Sequence, residues 1–453
     1  MSLKVVVLCA GKGTRMKSEK SKVMHEIMGK PMIEYVYEIA KEVSDKKPIF
    51  IVGHAKEQIE SYFKDKVEYV HQDEQLGTGH AVILAEKKIN ENDDVLILYG
   101  DTPLIQASTI KKLIEDKKDD TPVTILTSMV DNPFGYGRIV KDINGDFVKI
   151  VEQKDANDEE KLIREINSGM SYISGKLIKE NINKITNNNN QKEYYLTDLF
   201  EILKNNGNKI STFFIEQDEI MGVNSRTQLE DARKVMSKRI NSFHMDNGVT
   251  LISPESIYIE KDVVIGRDTI IYPNNILRGK TDIGNNCILY AGNEIVDTVI
   301  KDNVTIRTSF LEESYVDEKT TIGPYAHLRP KSKLGKKVKI GNFVEVKNSI
   351  MGNNSKASHL AYVGDGDIGD NVNIGCGVVF VNYDGKHKNR SIVKDNAFIG
   401  SNSNLVAPVT VEEKGYVATG STVTDDVPAN SLCIARARQV IKAGWTAKKK
   451  LLD

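Results

Sequence analysis

Two folds in tandem are predicted for this chain: an α/β domain on a largely parallel sheet, then a solenoid of short parallel strands. Three observations predict them. Compact apolar runs alternate with helix-period segments through the first half. The first run empties into a glycine-rich turn, Gly11-Lys12-Gly13. The second half repeats a branched aliphatic every six residues, a period that neither a helix nor a lone strand produces.

In chain order, Lys4–Ala10 carries three consecutive valines and reads as a buried parallel strand. Pro48–Val52, Val67–Val70 and Val95–Tyr99 read the same way, with helical patterns near Ile33–Val43, Lys56–Phe63 and Gly79–Lys88. Ligands of such sheets gather at the carboxyl ends of the strands, where Gly11 and Asp101 fall. The glycine turn lacks the third glycine of a dinucleotide fingerprint, because Met16 stands there, and it has no Lys-Ser/Thr of a Walker A loop. What remains is a turn whose N–H groups can hold phosphate oxygens, armed with Lys12, Arg15 and Lys22; a purely structural tight turn also fits. Asn187–Asn190 reads as an exposed loop. Arg226–Phe243 places Leu229, Ala232, Val235, Met236, Ile240 and Phe243 on one face of a joining helix.

The six-residue beat runs from Ile259 through Ile265, Ile271, Leu277, Ile283 and Leu289 to Ile295. After a phase slip it is read at Val304, Phe310, Val316, Ile322, Leu328, Leu334, Ile340 and Val346. It returns at Ile368, Ile374 and Phe380, and again from Val393 by sixes to Val423. Gly often follows the aliphatic, as at Gly341 and Gly400. A short strand and a tight corner, three to a coil, give a triangular prism of about ten coils, roughly 50 Å long at ~4.8 Å per coil. Two stretches read as interruptions, Ser355–Gly364 and Val381–Ser391, and interruptions of a solenoid tend to lie on its binding face.

Lys plus Arg number 62 against 63 Asp plus Glu, which argues against wholesale nucleic-acid binding. The four cysteines are far apart, so neither a zinc site nor a disulfide framework is indicated, and a reducing cytoplasm fits. The apolar run before Gly11 is too short for a signal core, and no stretch approaches the ~20 apolar residues of a membrane span.

Several motifs in the first half resemble the sugar-1-phosphate nucleotidyltransferases. They are Leu8-Cys9-Ala10-Gly11-Lys12-Gly13-Thr14-Arg15-Met16 with Lys22, Gln72-Asp73-Glu74-Gln75-Leu76-Gly77-Thr78-Gly79-His80-Ala81, Tyr99-Gly100-Asp101, Gly135-Tyr136-Gly137-Arg138, Ile150-Val151-Glu152, Glu165-Ile166-Asn167-Ser168-Gly169 and Gly222-Val223-Asn224. The second half is similar to the left-handed β-helix acyltransferases of hexapeptide repeats, whose Lys356-Ala357-Ser358-His359-Leu360-Ala361-Tyr362 motif it carries. Over nearly its whole length the chain resembles the family of bifunctional N-acetylglucosamine-1-phosphate uridyltransferase/glucosamine-1-phosphate acetyltransferases. The resemblance implies a nucleotidyltransferase domain over 1–225, a linker helix over 226–248 and a left-handed β-helix with a tail over 249–453. It implies acetylation of glucosamine 1-phosphate by acetyl-CoA, then reaction with UTP to UDP-N-acetylglucosamine and pyrophosphate, supplying cell-wall and lipopolysaccharide precursors. A cytoplasmic homotrimer with active sites between neighbouring prisms, using Mg²⁺ and binding neither nucleic acid nor membrane, is implied as well.

For the first site the resemblance puts UTP and product contacts at Leu8, Cys9, Ala10, Gly11, Arg15, Lys22, Gln72, Gly77, Thr78, Tyr99, Gly100, Asp101, Gly137, Glu152, Asn167 and Asn224, with Asp101 and Asn224 the Mg²⁺ ligands. Taken as bare residues, Asp101 could also form a turn and Asn224 cap a helix. Gln72 and Thr78 could cap their own loop, and Arg15 and Lys22 could be surface charge. Cys9 replaces the family's usual alanine. For the second site, acetyl transfer needs a base for an amine that is mostly protonated near neutrality, and the resemblance makes it His359. Arg329, Lys347, Tyr362, Asn373 and Lys388 are implied contacts for glucosamine 1-phosphate. Cys376, Asn382, Tyr383, Ser401, Thr419 and Arg436 are implied for acetyl-CoA, with Cys376 and Thr419 again where alanine is usual. Arg329 could instead serve a salt bridge, and the basic tail through Lys448–Lys450 either a solvated end or a clamp for coenzyme phosphates. Two other functions fit parts of the pattern: a related nucleotidyltransferase with another hexose or nucleotide, and a non-catalytic regulatory scaffold keeping both folds.

Overall fold

The computed structural model describes residues 2–117 and 120–449. The chain divides into two compact units, Met1–Met236 and Ser237–Asp453.

The strands of the first unit are β1 Ser2–Leu8, β2 Glu26–Ile27, β3 Lys30–Pro31, β4 Ile49–Val52, β5 Glu68–His71, β6 Asp93–Tyr99, β7 Val123–Met129, β8 Arg138–Lys141, β9 Phe147–Val151, β10 Glu165–Ser174 and β11 Ile210–Phe214. Its helices include α1 Met32–Val43, α2 Lys56–Phe63, α3 Thr78–Ala85, α4 Ala107–Glu115, α5 Gly175–Asn181 and α6 Leu196–Asn205. The main sheet runs β11-β7-β10-β6-β1-β4-β5, with β8 and β9 branching from β10. The pairings β6–β1, β1–β4, β4–β5 and β11–β7 are parallel. The departure is β10, which lies antiparallel between β6 and β7. All-apolar strands need cover on both faces, and β1 shows this: Val5 and Val7 join one core cluster, Val6 and Leu8 the other. Because Leu8 is in register with Tyr99, the loops after β1 and β6 leave the sheet side by side. That adjacency places the cleft.

The long helix α7, Arg226–Asp246, spans the point of division. The predicted apolar face holds for Ala232, Met236 and Ile240, but Phe243 is 63% exposed while Asn241 and His244 are buried. The last turns face the first coil, where Asn241 Nδ2 donates to the carbonyls of Pro254 and Ile257. Polar backbone there rotates the buried stripe away from Phe243.

In the second unit, strands of mostly two to four residues stack into three parallel sheets of eleven, ten and nine, a parallel β-helix. Corresponding inward residues lie 18 apart in regular coils, as Leu277 and Ile295 do, and the beat's aliphatics from Ile259 to Ile295 are all buried. The phase slip has a structural cause. Ile295 pairs Leu311 and Ile300 pairs Val316, only 16 apart, so these coils turn on shorter sides. Phe310 was expected to point inward; it is 50% exposed and Leu311 takes the interior. Ser355–Gly364 is likewise no interruption. Met351, Ala357 and Val363 continue the six-residue spacing with full burial, hidden from a search for branched aliphatics. Val381–Ser391 is a true insertion: Ile368 pairs Val393 at a separation of 25, and Tyr383 and Lys388 bridge across the loop.

The glycines of the beat sit where successive coils come closest. A Cβ on Gly341 would lie 1.8 Å from the carbonyl oxygen of Ser358, and one on Gly400 2.5 Å from the nitrogen of Thr419.

Candidate functional site

In the first unit a cavity of about 350 Å³ is lined by Leu8, Cys9, Ala10, Gly11, Lys22, Gln72, Gly77, Thr78, Tyr99 and Asp101, with Gln75 and Glu193 added. A second cavity of about 280 Å³ shares Thr78, Tyr99 and Glu193 with it and adds Gly137, Glu152 and Asn167. The two form one cleft across the carboxyl ends of β1 and β6 and the amino end of the antiparallel β10. Gly100 lies beneath it, its N–H bonded to the carbonyl of Leu8 at 2.9 Å. Arg15 is exposed in the turn Thr14–Met16 and lines neither cavity. Cys9 is buried, with Sγ 3.1 Å from the carbonyl of Ile51, and burial pushes its thiol pKa up. It serves as packing.

Asp101 and Asn224 converge from distant parts of the chain. The N–H of Val223 donates to the carbonyl of Asp101 at 2.9 Å, drawing the two loops together. Lys22 Nζ then bonds Asp101 Oδ2 at 2.5 Å and Asn224 Oδ1 at 3.0 Å. Asn224 does not cap α7. Ser225 does, its Oγ accepting from the N–H of Gln228, while Gln228 Oε1 accepts from the N–H of Asn224. The carboxamide of Asn224 is therefore spared for the cleft.

These oxygens pass the test for Mg²⁺. A carboxylate and a carboxamide oxygen meet at one point that a cation, the Lys22 ammonium, already favours. Mg²⁺ takes few protein oxygens and completes its shell with water and phosphate, so Asp101 and Asn224 are the residues that would hold it.

At the other end of the cleft, burial raises the carboxyl pKa of Glu152, and Thr197 Oγ1 donates to it at 3.3 Å. Burial, with Asp101 and Glu152 nearby, pushes the Tyr99 phenol up as well, so it stays a neutral donor. The Asn167 carboxamide oxygen is taken by the N–H of Gly169 at 3.0 Å, leaving Nδ2 to donate. Gln72 Nε2 donates to the Gly77 carbonyl at 3.0 Å, so its loop-capping role is real although it also lines the cavity.

The second constellation lies on the prism. Asn342 is in register with His359, and the registers Ala357–Ile374, Ile374–Ile399 and Ile399–Val417 carry the same corner to Cys376, Ser401 and Thr419. The five form a column over successive coils, about 20 Å tall at ~4.8 Å per coil. His359 is exposed, and its Nδ1 meets Asn342 Oδ1 at 2.8 Å. A carbonyl oxygen only accepts, so Nδ1 carries the proton and Nε2 presents its lone pair. Asn342 was missed from the sequence; the signal was its place one coil, 17 residues, before the histidine.

On the adjoining face Arg329 and Lys347 each follow an inward residue of paired strands, Leu328 and Val346. Lys388 reaches them from the inserted loop: its contact with Lys347, together with some burial and Arg329, lowers the Lys347 ammonium pKa. Three crowded cations make a place for an anion. Arg329 also bonds Glu345 at 2.9 Å, so the salt-bridge reading was right in part. Asn382 Nδ2 bonds Asp365 Oδ2 at 2.5 Å and lies 3.4 Å from the Tyr362 hydroxyl. Arg390 pins the far end of the loop on Asp367 and the carbonyls of Asn348 and Gly366. Tyr383 is exposed on that loop and Arg436 beyond the column. Asn373 lies in register with Lys356, one coil on. Of the basic tail, Lys450 lies outside the described residues.

Fold and cleft together define a nucleotidyltransferase unit in one chain with a hexapeptide β-helix. The family model of the MobA-like NTP transferase domain matches residues 5–141. Over 455 residues the chain is 54% identical to the bifunctional protein GlmU of Clostridioides difficile strain 630, covering 100% of this chain and 99% of the relative. It is 51% identical to that of Caldanaerobacter subterraneus subsp. tengcongensis, covering 98% and 97%, and 49% identical to that of Alkaliphilus metalliredigens, covering 99% of each. The chain belongs to the GlmU family.

Proposed function

We propose that this chain makes UDP-N-acetylglucosamine by two transfers at two separate sites. On the prism, the neutral amine of glucosamine 1-phosphate attacks the thioester carbonyl of acetyl-CoA; the C–N bond forms, the C–S bond breaks, and the coenzyme leaves as its thiol. His359 Nε2, held in the required tautomer by Asn342, takes the proton that the nitrogen loses and passes it to the leaving thiolate. Arg329, Lys347 and Lys388 hold the sugar's phosphate, with Tyr362 and Asn373 at the sugar. The column of Cys376, Ser401 and Thr419, with Asn382, Tyr383 and Arg436, lies along the coenzyme. The site completes itself between neighbouring prisms of a homotrimer, which suits an exposed His359.

In the cleft, a phosphate oxygen of N-acetylglucosamine 1-phosphate attacks the α-phosphorus of UTP, and the bond to the leaving pyrophosphate breaks. The nucleophile is already ionised, so no base is needed; the task is to bring two anions together. Gly11 lets backbone approach the phosphates, while Lys22 and Arg15 offset their charge. Gln72, Gly77 and Thr78 take the base, and Gly137, Glu152 and Asn167 the acetylated sugar. Mg²⁺ bound at Asp101 and Asn224 would add charge stabilisation at the triphosphate. The use of UTP and acetyl-CoA supports a cytoplasmic reaction. No described helix is long and apolar enough to cross a membrane.

The observation that carries this reading is the convergence of Lys22, Asp101 and Asn224, far apart in sequence, on one point at the end of the cleft. A paired substitution tests it. His359→Ala should cut acetyl transfer by about 10²–10⁴ and leave pyrophosphate release intact, and Asp101→Ala should do the reverse. Loss of both activities from either change in a folded protein would refute two independent sites.

A further inference from the structure

We propose that His80 is a positioning residue that sets nucleobase selectivity by locking the side-chain amide of Gln72; this rests on the nucleotidyl-transfer reading above. Gln72 is 4% exposed and lines the cleft beside Ala10, Gly77 and Thr78. Its backbone is anchored, the N–H donating to the Val52 carbonyl at 2.8 Å. Its side-chain nitrogen faces two acceptors, the Gly77 carbonyl at 3.0 Å and His80 Nδ1 at 3.2 Å. A backbone carbonyl can only accept, so the NH₂ edge must face Gly77. The second N–H then goes to His80 Nδ1, with the ring proton on Nε2.

Both acceptors are themselves held. Gly77 has φ +111°, and a Cβ there would lie 2.5 Å from the Tyr194 carbonyl, so no other residue could set this carbonyl in the same place. His80 rides on α3, its ring centroid 6.2 Å from that of Tyr194. With both N–H groups consumed, Gln72 Oε1 is the edge left over, and it has no protein partner among the described residues. The pocket thus offers a preset acceptor.

A uracil ring brings an imide N–H, which such an acceptor takes. Cytosine brings a lone pair at the equivalent nitrogen, and two acceptors then face each other. To suit cytosine the amide would have to turn over, setting Oε1 against the Gly77 carbonyl and His80 Nδ1. A buried polar group left unpaired in this way is what gives a site strong discrimination. Removing the His80 acceptor releases one of the two restraints on that turn.

The test compares kcat/KM for UTP and CTP, with N-acetylglucosamine 1-phosphate and Mg²⁺, by pyrophosphate release from the full-length protein. His80→Leu should lower the UTP/CTP ratio by about tenfold. His80→Asn, whose Oδ1 can replace Nδ1 as acceptor, should keep the ratio near that of the unaltered protein. A residue that only packed α3 would change total activity and leave the ratio alone, so an unchanged ratio in His80→Leu overturns the inference. Should that variant not fold, His80→Phe keeps the ring's bulk without the acceptor and is read identically. Unaltered protein that releases no pyrophosphate from UTP would instead sink the functional reading underneath.

Discussion

Lys22 holds the two oxygens proposed to bind Mg²⁺, so on that reading ammonium and metal would compete for one place. An incoming triphosphate would offer Lys22 another partner and free Asp101 and Asn224. Removing the ammonium should therefore strengthen metal binding to the nucleotide-free protein: Lys22→Ala should bind Mn²⁺ about tenfold more tightly, read by its electron paramagnetic resonance signal. Weaker binding would mean that Lys22 helps to build the metal site. A second residue, Asp198, has its carboxyl pushed up to about 6 by burial, with Glu201, Glu152 and Asp155 adding to the effect. Its folded pKa lies above the unfolded value, so folding favours the protonated form, and stability falls as pH rises through that range. Asp198→Asn should then raise the melting temperature by a few degrees at pH 7.5 and hardly at all at pH 4. A gain of equal size at both pH values would contradict the titration argument.

At the scale of elements, the prism's regularity comes from coils packed too closely for any side chain at some corners. Gly341→Ala forces a methyl against the Ser358 carbonyl. Backbone on both sides leaves no flexible group to yield, so the coils must part. A loss of about 3 kcal/mol or more is expected, seen as a lower unfolding midpoint of the prism. Buried hydroxyls repeat the theme at other corners: Thr269 accepts from the N–H of Cys287 and Ser349 from that of Gly366. The inserted loop works the other way, held by Asn382 and Arg390 at its ends while Lys388 stays exposed to meet an anion.

For the whole molecule, each compact unit contains its own candidate site, so ligands should report on the units separately. Differential scanning calorimetry should resolve two unfolding transitions. UTP with Mg²⁺ should raise only one and acetyl-CoA only the other, each by about 2.7 kcal/mol at a hundredfold excess over Kd. One transition moved by both ligands would show that the units unfold as one.

What could be read directly was whatever repeats or is local. The apolar runs of β1, β4 and β6, the glycine turn and the aliphatic spacing are consequences of burial on both faces of a sheet or inside a coil, and each leaves a periodic trace. The same rule explains the misreadings: coils shortened to 16 residues moved Phe310 outward, and Met351 and Ala357 filled the core without matching a branched-aliphatic pattern. Motif likeness named candidates for both sites without saying how they meet. Register through space decided that. Asn342 reaches His359 because coils stack, Asn224 is released to Lys22 because Ser225 caps the helix instead, and β10 brings Asn167 to the cleft because it runs antiparallel between β6 and β7. A chain by itself records which residues avoid water; hydrogen bonds between residues distant in sequence depend on how the folded backbone brings them within 3 Å, and only the tertiary structure settles that.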